Sequence, residues 1–298
     1  MRVLHLDSGR QMRGGQWQVL RLIEGLASSA IDSTLLAREA SPLFQAARAL
    51  GWHVEPLTLG RLAVEARRHD LVHAHDARAH TLAAAVAGRK PLVVARRVAF
   101  PVGAGVCSRW KYGRARQFVA VSQFVGRVLV EGGIGPARVA VVYDGVPLLP
   151  PSEGGRVLMP NGGGDSLKET GLAAEAARLA GVRIEVSTDL ERDLRTAAVF
   201  VYLTRSEGLG SGALLAMSAG VAVVASDVGG LQEALQHRAT GMLVENSPAA
   251  VAAAIGELTG NPEFARSLGA AARRRVRERF TVDRMVLDTL NVYRQVLS

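Results

Sequence analysis

The chain has 298 residues, 48% hydrophobic and 21% charged, which excludes a disordered or low-complexity polymer and suggests two domains at about 150 residues each. A single cysteine, Cys107, excludes an internal disulfide and fits a reducing compartment. The net charge of +9 is uneven: residues 1–150 carry 20 Lys+Arg against 10 Asp+Glu, whereas residues 151–298 carry 16 against 17.

The opening MRVLHLDSGRQ puts charges at residues 2 and 7, which breaks the apolar run a secretory signal needs. No window approaches the ~18 uninterrupted apolar residues of a spanning helix. The expectation is a cytoplasmic globular protein.

Short β-rich runs then alternate with amphipathic stretches. Strands are expected at 3–6, 33–37, 71–74, 92–95, 118–121 and 139–143, with helices in GQWQVLRLIEGLASS, PLFQAARALG and ARAHTLAAAVAG. VPLLPPSEGG, from residue 146, holds three prolines and two glycines and reads as a linker. A second alternation follows, with strands expected at 156–159, 183–186, 199–203, 221–226 and 241–245, and a helical carboxyl-terminal region. The pattern is α/β: two Rossmann-like, doubly wound parallel-sheet domains facing across a cleft. In open sheets of this kind ligands sit at the carboxyl ends of strands, so the strand-to-helix loops are the candidates for chemistry.

Four such loops stand out. Ser8–Gln16 contains Gly14 and Gly15 before a helix, where backbone amides and the helix terminus suit a phosphate; an ordinary turn has the same composition. His73, His75, Asp76 and Arg78 cluster at the end of the third strand. Two histidines two apart share a strand face, but no Cys/His partner pair with zinc-like spacing accompanies them, so hydrogen bonding to a polar substrate is preferred to a metal. Arg96 and Arg97 end the fourth strand, where guanidinium groups favour phosphate or carboxylate. Ser108–Tyr112 follows, with aromatic and basic residues interleaved. The basic first half would suit nucleic acid, an anionic membrane surface or a phosphorylated substrate, although 33 of the 36 basic residues are Arg, which genome bias alone would produce. The fourth loop runs from Tyr202 to Gly212. It can cradle a diphosphate, or imitate a dinucleotide fingerprint through Gly208, Gly210, Gly212 and Asp227, with its third glycine one residue early.

At this loop the chain resembles the retaining glycosyltransferases of family 4, which have the GT-B fold. The resemblance extends through GGQWQVLRLIEGL, DLVHAHDARAHTLAA, AVSQFVGRVLVEGGIGPARVAVVYDGV, SEGLGSGALLAMSAGVAVVASDVGGLQEAL and ATGMLVENSPAAVAAAI. It implies an acceptor-side domain over 1–147, a nucleotide-sugar-side domain over 148–280, and a terminal helix over 281–298 crossing back to the first. It implies sugar transfer from a nucleotide-sugar to a hydroxyl of a glycan or lipid-linked acceptor, in cell-envelope polysaccharide or lipopolysaccharide synthesis. The alternative is a catalytically degenerate GT-B protein acting as a binding or regulatory subunit.

By resemblance Glu207 and Lys168 carry the chemistry, Lys168 only with a one-residue shift. Gly14, Gly15, Gly210, Ser211 and Gly212 meet the donor, and His75, Asp76, Arg96 and Arg97 lie on the acceptor side. No metal or other cofactor is implied, and no nucleic acid. The basic half would allow peripheral contact with the inner face of the cytoplasmic membrane. Two positions depart from the family pattern. Leu215 stands where a ribose-holding glutamate is usual, and the segment Pro160–Lys168 lacks the usual arginine.

Overall fold

The structure, a computed structural model, describes residues 1–163 and 166–298. It divides into two compact units, Met1–Gly145 with Val282–Ser298, and Val146–Thr281. Residues 147–155, the proline-rich stretch, contain neither helix nor strand.

In the first unit the strands are β1 (Arg2–Asp7), β2 (Asp32–Ala37), β3 (Val54–Pro56), β4 (Leu71–Ala74), β5 (Leu92–Arg96), β6 (Gln117–Ala120) and β7 (Val139–Val141). The helices are α1 (Gly14–Ser28), α2 (Pro42–Ala49), α3 (Leu59–Arg68), α4 (Ala77–Val86), α5 (Val106–Arg114) and α6 (Gln123–Glu131). Every pairing is parallel, in the order β3-β2-β1-β4-β5-β6-β7. Strands covered on both faces read as continuous apolar runs, and β1, β4 and β6 are buried almost throughout. Sequence reading did not expect β3 or α3. The first is a three-residue edge strand ending in Pro56, where proline is tolerated because no neighbour needs its amide. Capping residues start the helices: Ser41, Thr58, Asp76 and Ser122 each accept a backbone N–H in the first turn, satisfying groups the helix leaves orphaned.

The second unit holds β8 (Arg156–Pro160), β9 (Ile184–Ser187), β10 (Ala197–Tyr202), β11 (Ala222–Ser226) and β12 (Met242–Val244). Between and after them lie α7 (Thr170–Leu179), α8 (Leu190–Asp193), α9 (Ser211–Ser218), α10 (Leu231–Ala234), α11 (Pro248–Gly260) and α12 (Pro262–Arg279). Its order, β12-β11-β10-β8-β9, is again all parallel. The final helix, α13 (Val282–Leu297), belongs to the first unit. There Met285, Leu290 and Tyr293 pack with Leu22 and Leu26 of α1 and Val3, Leu71 and Val119 of the sheet. Gly25 makes this possible, since a Cβ there would stand 2.4 Å from Val286 Cγ2.

Among the described residues, no helix is long and apolar enough to cross a membrane.

Candidate functional site

Each sheet has one point where strand order reverses and the loops of two neighbouring strands diverge to opposite faces. Ligands of open α/β sheets collect at such points. In the second unit the reversal lies between β8 and β10. The loop after β8 supplies Lys168, and the loop after β10 supplies Glu207. These loops are tied together: Lys168 and Thr204 form an isolated bridge, and the amides of Glu169 and Arg205 donate to Leu203 and Leu167 carbonyls at 3.1 and 2.9 Å. The next two strands hold the β10 loop from the other side. The Thr204 amide donates to Ser226 Oγ at 2.8 Å, and Asn246 Nδ2 donates to the Thr204 carbonyl at 2.9 Å.

On this frame Lys168 Nζ donates to Glu207 Oε2 at 2.7 Å and to the Tyr202 hydroxyl at 2.6 Å, and that hydroxyl donates to the same carboxylate oxygen at 2.6 Å. Both charged side chains keep slightly under a fifth of their surface exposed, so the pair is dry enough to be ordered and open enough to meet a ligand. The ammonium also lies 4.1 Å from the Tyr202 ring centre. Gly212 makes room for that ring, because a Cβ there would meet Tyr202 Cε2 at 3.0 Å. Gly210 sits at φ 96°, in the left-handed region that favours glycine, and Ser211 opens α9. Gly230 presses its backbone on the loop: a Cβ there would fall 1.8 Å from the Gly208 carbonyl oxygen, and its amide donates to the Glu207 carbonyl at 3.0 Å. Gly164 and Asp165, within the expected Pro160–Lys168 segment, lie outside the described residues. Leu215 is only 5% exposed among α9 residues that are buried from Ala213 to Ser218.

In the first unit the reversal lies between β1 and β4. Asp7 ends β1 almost fully buried; it accepts from the Gly9 amide at 2.8 Å and from Gln16 Nε2 at 3.0 and 3.2 Å. Burial and the neighbouring Asp76 push its carboxyl above the usual range. Gly14, exposed, and Gly15, half-buried, form the first turn of α1 beside these groups. Asp76 is heavily committed. It caps α4 through the Arg78 and Ala79 amides and accepts from the Ser8 amide and hydroxyl at 2.5 and 2.7 Å. Arg96 donates to the Tyr112 hydroxyl at 3.0 Å and to the Phe100 carbonyl. Arg97 pairs with Asp144 at 3.2 Å.

His75 lies against His5, with ring nitrogens 3.0 Å apart, and burial drives the imidazoles of His5, His73 and His75 far below the normal pKa. All three are therefore neutral at pH 7. His5, Asp7, Tyr202, Ser226, Asn246 and Gly230 were not singled out as site residues by sequence. The available signal was their position at or just past strand ends.

Two family models match the chain: "Glycosyltransferase Family 4" over residues 12–148 and "Glycosyl transferases group 1" over residues 124–261. An alpha-maltose-1-phosphate synthase of Mycolicibacterium smegmatis is 39% identical over 123 residues, covering 39% of this chain and 32% of that protein. A D-inositol 3-phosphate glycosyltransferase of Streptomyces scabiei is 36% identical over 167 residues, covering 52% of this chain and 36% of that one. These alignments span about a third of each relative's length. Among solved structures, Anabaena Alr3699/HepE in complex with UDP and glucose superposes with a TM-score of 0.87 over 99% of this chain and all of that one, at 15% identity. The likeness is of fold, and that fold is GT-B.

Proposed function

We propose, from the premise that this chain belongs to glycosyltransferase family 4, that it transfers a sugar from a nucleotide-sugar donor to a hydroxyl acceptor with retention at the anomeric carbon. The observation that carries the reading is the Lys168–Glu207 pair, set by Tyr202 at the strand-order reversal of the second unit. A structural neighbour binds UDP and glucose, which supports a donor of the same class.

In this reading Glu207 holds hydroxyls of the donor sugar, and Lys168 meets the diphosphate as it leaves. The amides of Gly210, Ser211 and Gly212, at the start of α9, face the same anion. Amide dipoles and a cation placed where negative charge develops stabilise the separating diphosphate and the oxocarbenium-like sugar. Glu207 positions the sugar and does not attack it; the leaving phosphate takes the acceptor's proton. Gly14 and Gly15 contribute to the donor site, and His75, Asp76, Arg96 and Arg97 to the acceptor side. The acceptor is a glycan or lipid-linked glycan of the cell envelope, reached by peripheral contact of the basic first unit with an anionic membrane. The degenerate-subunit alternative is less favoured because both charged members of the pair are present.

The test is calorimetry with UDP, GDP, ADP and NAD, followed by product analysis with the matching nucleotide-sugar. Binding of one nucleoside diphosphate and an α-configured product from an α-configured donor are expected. Binding of NAD alone, or diphosphate binding with no turnover on any acceptor glycan tested, overturns it.

A further inference from the structure

We propose that His5, His73 and His75 form a binding site for a divalent first-row transition ion of the zinc type, inside the first unit. Sequence offered only the His73–His75 pair and preferred a hydrogen-bonding role for it. The fold adds His5. It pairs with His73 across the β1–β4 ladder, and the period of two puts all three imidazoles on one sheet face. One nitrogen from each ring lies within 4.8 Å of the other two. An ion with Zn–N bonds of about 2.1 Å holds its ligands no more than about 4.2 Å apart, so ring rotations that move these atoms by the order of an ångström complete the set.

Two further observations point to a ligand. His5 Nε2, His73 Nε2 and His75 Nδ1 are all buried without a hydrogen-bond partner, although buried polar atoms are rarely left so. The Tyr293 hydroxyl sits 2.6 Å from His73 Nδ1, the outer-shell contact that fixes a ligating imidazole with its far nitrogen free. Imidazole ligands select zinc, cobalt or nickel over magnesium or calcium. The Arg97 guanidinium acts on the His73 and His75 rings, but it is paired with Asp144, and buried Asp7 with neighbouring Asp76 supplies negative charge beside the strand ends. His75, the most exposed of the three at 6%, marks the side from which an ion enters.

The test uses the full chain stripped by a chelator, titrated with zinc chloride by calorimetry and with cobalt chloride by visible absorption. One equivalent should bind, cobalt should show the intensified bands of low coordination number, and saturating zinc should raise the melting temperature by several degrees. Magnesium chloride should do neither. His73→Gln should lose at least a hundredfold in affinity, Tyr293→Phe tenfold to a hundredfold, and His53→Gln, at an exposed histidine just before β3, none. No uptake by the wild-type chain, or equal uptake by His73→Gln, overturns the proposal. If His73→Gln does not fold, unchanged affinity in Tyr293→Phe overturns it instead. Failure here would leave diphosphate binding intact, so it is distinguishable from failure of the transferase reading.

Discussion

At the strand-order reversal of the second unit, charged side chains sit in contact with each other and partly in contact with solvent. At the equivalent place in the first unit, the histidines and Asp7 are sealed under α1 and α13, and three ring nitrogens are left without partners. Both sheets obey the same topological rule, yet one leaves a small, satisfied, accessible ion pair and the other a dry polar column. A shared fold therefore fixes where polar groups gather and leaves open what they do. The surrounding helices decide whether water can reach them.

The contrast can be broken from either side. The largest effect should come from Leu215→Glu, which places a carboxylate where α9 is buried. An unpaired buried charge costs about 3–5 kcal/mol, so the melting temperature should fall on the order of 10 °C with no gain in nucleoside diphosphate affinity. A gain in affinity at unchanged stability would place Leu215 on the ribose after all.

Next, Glu207→Gln should lower sugar transfer by about a hundredfold while diphosphate binding changes far less. Parallel losses in turnover and in calorimetric affinity would remove Glu207 from the sugar. In the first unit the test is acid. The pKa of His5 is lowered from 6.5 to about 3, and His73 and His75 are lowered too. The unfolded chain thus binds more protons below pH 6.5, so their contribution is full above that pH and is lost as pH falls toward 3. Each such group costs about 1.4 kcal/mol per pH unit in that window. Urea midpoints measured from pH 7 to 4 should fall, and His5→Gln should flatten the slope by about one proton.

Smallest is Tyr202→Phe. It removes a hydroxyl shared by Lys168 and Glu207 but leaves their 2.7 Å contact, so turnover should drop about tenfold, in line with one hydrogen bond to a charged group. The melting temperature should barely move.

Glu207 and the glycines of its loop were legible in sequence because they are contiguous, and a glycine-rich turn between an apolar strand and a helix has few other readings. Lys168 was legible only through family resemblance. Tyr202 stood at the start of the same loop, but no role was read for its hydroxyl. Ser226 and Asn246 lie 22 and 42 residues from the Thr204 backbone they hold, and nothing local marks such a brace. His5 was hidden for the same reason: one histidine in an apolar strand looks like packing until a strand almost seventy residues later brings two more beside it. The reading of Arg96 and Arg97 as groups that favour phosphate or carboxylate did not foresee Tyr112 and Asp144, partners that only the folded sheet supplies.

The return of α13 to the first unit has a consequence for how the chain is made. A ribosome delivers residues 1–145 first, but the face formed by Val3, Leu22, Leu26 and Leu71 has no cover until Val282–Ser298 emerges. The later-synthesised unit can close on its own segment while the earlier one waits with an apolar stripe exposed, reversing the usual amino-to-carboxyl order of domain completion. A gene truncated before codon 282 should therefore yield an aggregating product, and co-expressing the missing helix as a separate peptide should restore its solubility.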